Sequence, residues 1–158
     1  MRSKFITTLS IFAVVASVLG LASGTLQLLA FQGLKDHPDL AALTLEAVSQ
    51  QMGASVTLVE LEQMLLDHGL FSMVTSILGV ALGYGLWRRR AWARTGSIYL
   101  ILVMTLWLVS SSVSSALPLS NWMYWFGLAF AALIAGIHAG IIVKLRSPEV
   151  RAEFSQAC

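Results

Sequence analysis

His138 is the residue best equipped to do chemistry, because it is an ionisable side chain inside a long apolar run. Imidazole can move a proton, ligate a metal or hydrogen-bond a ligand, and ionisable groups at membrane depth are functional candidates by default. Lys144 follows less than two turns later, so the ring falls toward one edge of its run. A neutral packing histidine bonded to a neighbouring helix meets the same description, and Gln27 in the first apolar run is read the same way. Two Asp-His dipeptides, Asp36-His37 and Asp67-His68, bracket a polar segment. Carboxylate and imidazole suit divalent metals, and an antiparallel helix pair between the dipeptides would bring the four side chains together. Helix capping and membrane-edge polarity explain the same residues, and their spacing selects no metal, so no metal or other cofactor is assigned. The remaining cluster is Arg88-Arg89-Arg90 with Arg94. Each basic residue near an anionic leaflet is worth about 1 kcal/mol, so a lipid headgroup can bind there. Orienting the chain in the membrane accounts for the arginines without one.

Other chemistries are missing their parts. The apolar runs contain no aspartate or glutamate, which argues against a proton- or sodium-coupled carrier of the usual kind. HExxH, a Ser-His-Asp set on one side of the membrane, CxxC and a phosphate-cradling loop with its lysine are all absent. An enzyme is not expected. The single cysteine, Cys158, forms no intramolecular pair, and a prenylation signal would place it four residues from the end. It reads as an inert thiol.

The elements that position these residues follow from composition. Hydrophobic residues make up 57% of the chain and charged residues 11%, against about 25% charged in soluble proteins. A chain this short cannot cover so much apolar surface with itself; the excess must face lipid. A bilayer core takes about 20 apolar residues as a helix. Four stretches qualify, at about 5–31, 70–87, 95–117 and 122–143. The first, behind Arg2 and Lys4, exceeds the 7–15-residue core of a secretory signal and is expected to be retained. The fold class is therefore all-α: a four-helix transmembrane bundle forming a single membrane domain over 1–158.

Lysine and arginine concentrate on the cytoplasmic side of membrane proteins. Arg2 and Lys4, the four arginines from Arg88 to Arg94, and Lys144, Arg146 and Arg151 all fall on one side of a four-span threading. The segment between the first two spans holds only Lys35 against Asp36, Asp39, Glu46, Glu60, Glu62 and Asp67. Both termini are expected inside and about 33–69 outside. Trp122, Tyr124 and Trp125 suit the outer interface, and Trp87 and Trp92 the inner one.

Hydrophobicity cannot hold helices together in lipid, so small residues that permit close approach must do so. Ala16, Gly20 and Gly24 form a ridge on the first span, Gly79 and Gly83 with Thr75 on the second, and Ala132, Gly136 and Gly140 on the fourth. Serines 110, 111, 112, 114 and 115 offer hydroxyls near one end of the third. These ridges either pack one subunit or leave one free for another polypeptide.

The external segment reads as two short amphipathic helices inserted between the first and second spans. Asp36 or His37 caps the first, with Pro38 at its start; Ala41, Leu45, Val48 and Met52 form its apolar face, and Gly53 ends it. Thr57-x-x-Glu60 is a capping box opening the second, with Leu58, Leu61 and Leu65 as its stripe, and Gly69 separating it from the next span. The stripes can pack on each other, lie in headgroups or bind a partner. Their acidic polar faces disfavour anionic lipid.

The run from Tyr84 to Arg94 resembles a junction of small bacterial four-span inner-membrane proteins of uncharacterised function, in which a glycine-rich span ends in G-L-W-x-x-R-x-W-A-R. The resemblance implies a bacterial inner (plasma) membrane and carries no catalytic residue. Four-span animal families such as the claudins differ in having paired loop cysteines, which this chain lacks. The expectation is a non-catalytic accessory or assembly subunit of a larger inner-membrane complex. It would dock through small-residue helix faces and the external helices. The alternative is a small oligomeric transporter, channel or lipid-handling protein. Expected partners are membrane lipids and other membrane subunits or further copies, not nucleic acid.

Overall fold

Four helices are long and apolar enough to cross a bilayer, so the chain is a multi-pass membrane protein. The computed structural model describes residues 4–52, 55–113 and 122–155. Among them the regular structure is α1 (Lys4–Asp36), α2 (Pro38–Met52), α3 (Leu58–Trp87), α4 (Ala91–Val113), α5 (Trp122–Arg146) and α6 (Pro148–Ser155). The all-α, four-span architecture expected from the sequence is present, with α1, α3, α4 and α5 as the spans. Gly53, Ser114, Ser115, the uncharged turn around Pro118 to Asn121, Cys158 and the side chain of Met52 lie outside the described residues.

The segment between the first two spans departs from expectation. Helix α1 continues past residue 31 to Asp36, and only His37 separates it from α2. The second amphipathic helix is not a separate element. The capping box at Thr57 opens α3, which runs unbroken through Gly69 to Trp87. An interior glycine costs about 1 kcal/mol of helix, too little to break a helix anchored on both sides of it. Gly69 is buried, and a Cβ there would stand 3.0 Å from the Leu28 side chain and 3.3 Å from the Gly24 carbonyl oxygen. Close approach to α1 therefore accounts for this glycine.

That approach is repeated along the antiparallel α1–α3 pair, the most extensive interface in the bundle. Gly24 meets Gly69 and Met73; Gly20 meets Ser76 and Ser72; Ser17 meets Gly79; Val14 and the Ser10 carbonyl meet Gly83. The Ser72 hydroxyl donates to the Gly20 carbonyl at 2.9 Å, one of the cross-helix bonds that close approach allows. Gly20 and Gly24 of the first ridge and Gly79 and Gly83 of the second are thus consumed against each other, whereas Ala16 of the first stays exposed. Helix α4 packs on α3 and α5, and α5 on α4 and α6.

The amphipathic stripes pack together. Leu34 at the end of α1, Ala41 of α2 and Leu61 of α3 are buried as one cluster, with Leu45, Val48, Val56 and Leu65 against it. Leu58 stands outside that cluster, 37% exposed. At the opposite, basic end Ile6, Leu86, Ala93, Leu145, Val150 and Phe154 are buried together, drawing all four spans onto α6. Helix α6 begins with Pro148 at its first position, and Ser147 Oγ accepts from the Val150 amide at 3.4 Å.

The α3–α4 turn closes as a Schellman motif, with the Arg90 amide donating to the Gly85 carbonyl and the Arg89 amide to Leu86. Arg89 occupies the left-handed position usually held by glycine, at φ 57°. Its guanidinium pairs with Glu153 of α6 at 3.2 Å and donates to Thr7 of α1 at 3.3 Å. One strained backbone position thereby ties three elements at the basic end.

Candidate functional site: a cleft between the spans

The close α1–α3 pair joins α5 in the cluster at the basic end, and a cleft is bounded by all four spans. Its volume is about 230 Å³. The wall on α1 runs from Leu9 to Gly20, about 16 Å at 1.5 Å per residue, so the space is long and narrow. Phe12, Ala16 and Met104 at its rim are exposed, while Ser17, Thr75, Ser76, Leu86 and Ser97 are buried. The cleft has a covered floor and one side open to the surroundings of the bundle.

Its walls are apolar apart from one set of groups. Thr75 donates to the Phe71 carbonyl at 2.7 Å, satisfying its own hydrogen within the helix. Ser17, Ser76 and Ser97 are 8%, 6% and 7% exposed, and their hydroxyls form no hydrogen bond among the described residues. Ser17 and Ser76 turn their oxygens toward Gly79 and Gly20 in the α1–α3 seam, and with Ser97 they put the only buried serine hydroxyls without a bond among the described residues on the lining of this cavity, none of them sealed from it. His138 joins the lining from α5. Its Nδ1 lies 2.6 Å from Thr105 Oγ1 of α4. The expectation of a histidine bonded to a neighbouring helix therefore holds, and the ring also borders the cavity.

Other candidates fall elsewhere. Gln27 is not in the cleft; its Oε1 is buried near the other end of α1 and accepts no hydrogen bond among the described residues. The two Asp-His dipeptides do not converge. Gly24 and Gly69 are at one level. Asp36 lies twelve residues beyond Gly24 and Asp67 two residues before Gly69 on the antiparallel partner, which separates them by about 15 Å in height. His68 Nδ1 instead donates to the Met64 carbonyl at 2.9 Å, and the ring stands edge-on to Trp107, which stacks on Phe71 at 4.2 Å between ring centres. Among the described residues no three metal-ligating side chains group together.

Arg88 and Arg90 are exposed and Arg94 is half-buried, whereas Arg89 is committed to Glu153 and Thr7. Arg89 is therefore held within the fold, apart from the other three. On α5, Ala132, Gly136 and Gly140 are exposed, and a Cβ built at Gly136 or Gly140 meets nothing within 4 Å. This ridge, unlike those on α1 and α3, is unused by its own chain. Sequence reasoning missed the serines of the cleft, whose signal was their type alone, and Glu153, which no local motif links to Arg89. Comparison with protein-family models, curated proteins and solved structures finds no match to this chain.

Proposed function

We propose that this chain is a lipid-handling protein of a bacterial inner membrane, which takes a membrane-dissolved molecule into the cleft between its four spans. The observation that carries this reading is the cleft itself, bounded by all four spans, mostly apolar, and lined at a few points by the polar side chains of Ser17, Ser76, Ser97 and His138. The open side lets a molecule enter laterally from the bilayer, and the small residues of the α1–α3 pair keep the floor shallow enough to admit it. The arginine-bearing end is placed in the cytoplasm, following the distribution of basic residues. Binding, rather than a reaction, is the role assigned. Native mass spectrometry of gently extracted protein is expected to retain one bound lipid-like molecule per chain. Ala16→Phe, at the exposed rim, should displace it without touching the core. A bare protein mass, or an adduct indifferent to Ala16→Phe, would defeat the proposal.

The exposed Ala132-Gly136-Gly140 ridge favours a second reading, in which the chain is an accessory subunit docking α5 against another membrane helix. Small ridges of this kind support close helix pairing in lipid. In native-size analysis after mild extraction, the chain should then run larger than one copy and shrink on Gly136→Leu. Recovery only as a lone monomer counts against it.

A further inference from the structure

Thr105 Oγ1 has two close contacts, the Ile101 carbonyl at 2.7 Å and His138 Nδ1 at 2.6 Å. A hydroxyl has one hydrogen and a carbonyl oxygen can only accept. The threonine hydrogen therefore goes to Ile101, and the hydrogen between Thr105 and His138 belongs to the ring. In hydrocarbon the uncharged imidazole is the less costly form. A neutral ring protonated at Nδ1 has a bare lone pair at Nε2. Among the described residues Nε2 has no partner, and His138 borders the cleft.

The depth of this acceptor restricts what can meet it. His138 lies six residues from Lys144 and Thr105 eleven from Arg94, which puts the pair about 9–16 Å in from the basic ends of their helices, on the basic side of a core about 30 Å thick but within its hydrocarbon. A charged headgroup at that depth is costly; an uncharged one is admissible. The narrow cavity takes a chain better than a broad ring system.

Resting on the cleft-binding reading, we infer that the site selects an uncharged lipid alcohol: a slender apolar chain with a hydroxyl that donates to His138 Nε2. Ethers, ketones and esters lack the donor and are discriminated against.

The test uses the full chain in lipid nanodiscs and two isomers of equal size, 1-decanol and nonyl methyl ether, with binding read by saturation-transfer NMR against protein-free discs. Decanol is expected to bind saturably and about ten-fold more tightly than the ether, the effect of leaving one buried acceptor unpaired. Thr105→Val should erase the preference, because the ring hydrogen then moves to Nε2, which either oxygen can accept. Equal saturable binding of the two isomers by the unaltered protein overturns the donor inference and leaves the cleft reading standing. No saturable binding of either removes the cleft reading itself. Nitrogen-15 NMR of the unaltered protein provides a check independent of any variant: His138 should carry its hydrogen on Nδ1, and a hydrogen on Nε2 refutes the inference.

Discussion

Thr57 and Glu60 illustrate how much a short stretch of sequence can specify. The Glu60 carboxylate accepts from both the Thr57 amide and hydroxyl at 2.8 Å, and Thr57 Oγ1 accepts from the Glu60 amide at 3.3 Å. The bond from the Thr57 backbone, then that from its side chain, hold the Glu60 carboxyl below its ordinary value of 4.5. A carboxyl with a depressed folded value stabilises the fold above its unfolded value, and that contribution is lost as pH falls through the folded one. Amide protection over residues 58–61 should therefore decline as pH drops below about 4.5, and the decline should be absent in Glu60→Gln. Thr57→Ala should loosen the same turn at neutral pH by about 1 kcal/mol, read by hydrogen exchange. Protection indifferent to pH in the unaltered chain would contradict the cap. This pair was legible because both partners sit within four residues. The His138–Thr105 contact joins residues 33 apart, and no local pattern encodes which hydroxyl of the third span the ring meets.

Helices are legible from periodicity and composition, but their pairings are not, because ridges of glycine, alanine and serine on α1, α3 and α5 share the same chemistry. The structure distinguishes them by what surrounds each glycine. A Cβ at Gly24 would stand 2.9 Å from the Gly69 carbonyl oxygen and 3.1 Å from the Met73 amide nitrogen, and backbone cannot step aside as a flexible side chain can. Gly24→Ala must push α1 and α3 apart and should cost about 1–3 kcal/mol. Gly136→Ala places its methyl in open space and should be neutral or gain up to about 1 kcal/mol of helix propensity. Unfolding of the two variants in mixed micelles, followed by circular dichroism, compares them directly; equal losses would mean that α5 is packed where the structure shows it bare. Gly69 taught the opposite lesson. Its type suggested a helix boundary, yet the residue is there to let α1 approach. Helix α6 did carry a signal in Ser147-Pro148-Glu149, a helix start, and in the i, i+4 pair Val150 and Phe154.

At the scale of the whole molecule, charge organises the two ends differently. At the acidic end the helices are joined by an apolar cluster around Leu34, Ala41 and Leu61. At the basic end Arg89 turns inward to Glu153 while Arg88 and Arg90 stay exposed, so the arginines divide between holding α6 and marking one membrane face. The sequence's single cysteine makes the threading testable. A membrane-impermeant maleimide added to intact cells should leave Cys158 unlabelled and reach it only after the membrane is permeabilised. In a Cys158→Ser background, a cysteine at the exposed Gln50 of α2 should label without permeabilisation. In chain order one span precedes Gln50 and four precede Cys158, so the two should exchange behaviour together if the threading is reversed. Reversal would place the acidic end inside and the arginines outside, against the energetic preference that basic flanks express. It would leave the cleft intact, because that cavity opens sideways into the bilayer and is reached from lipid in either orientation.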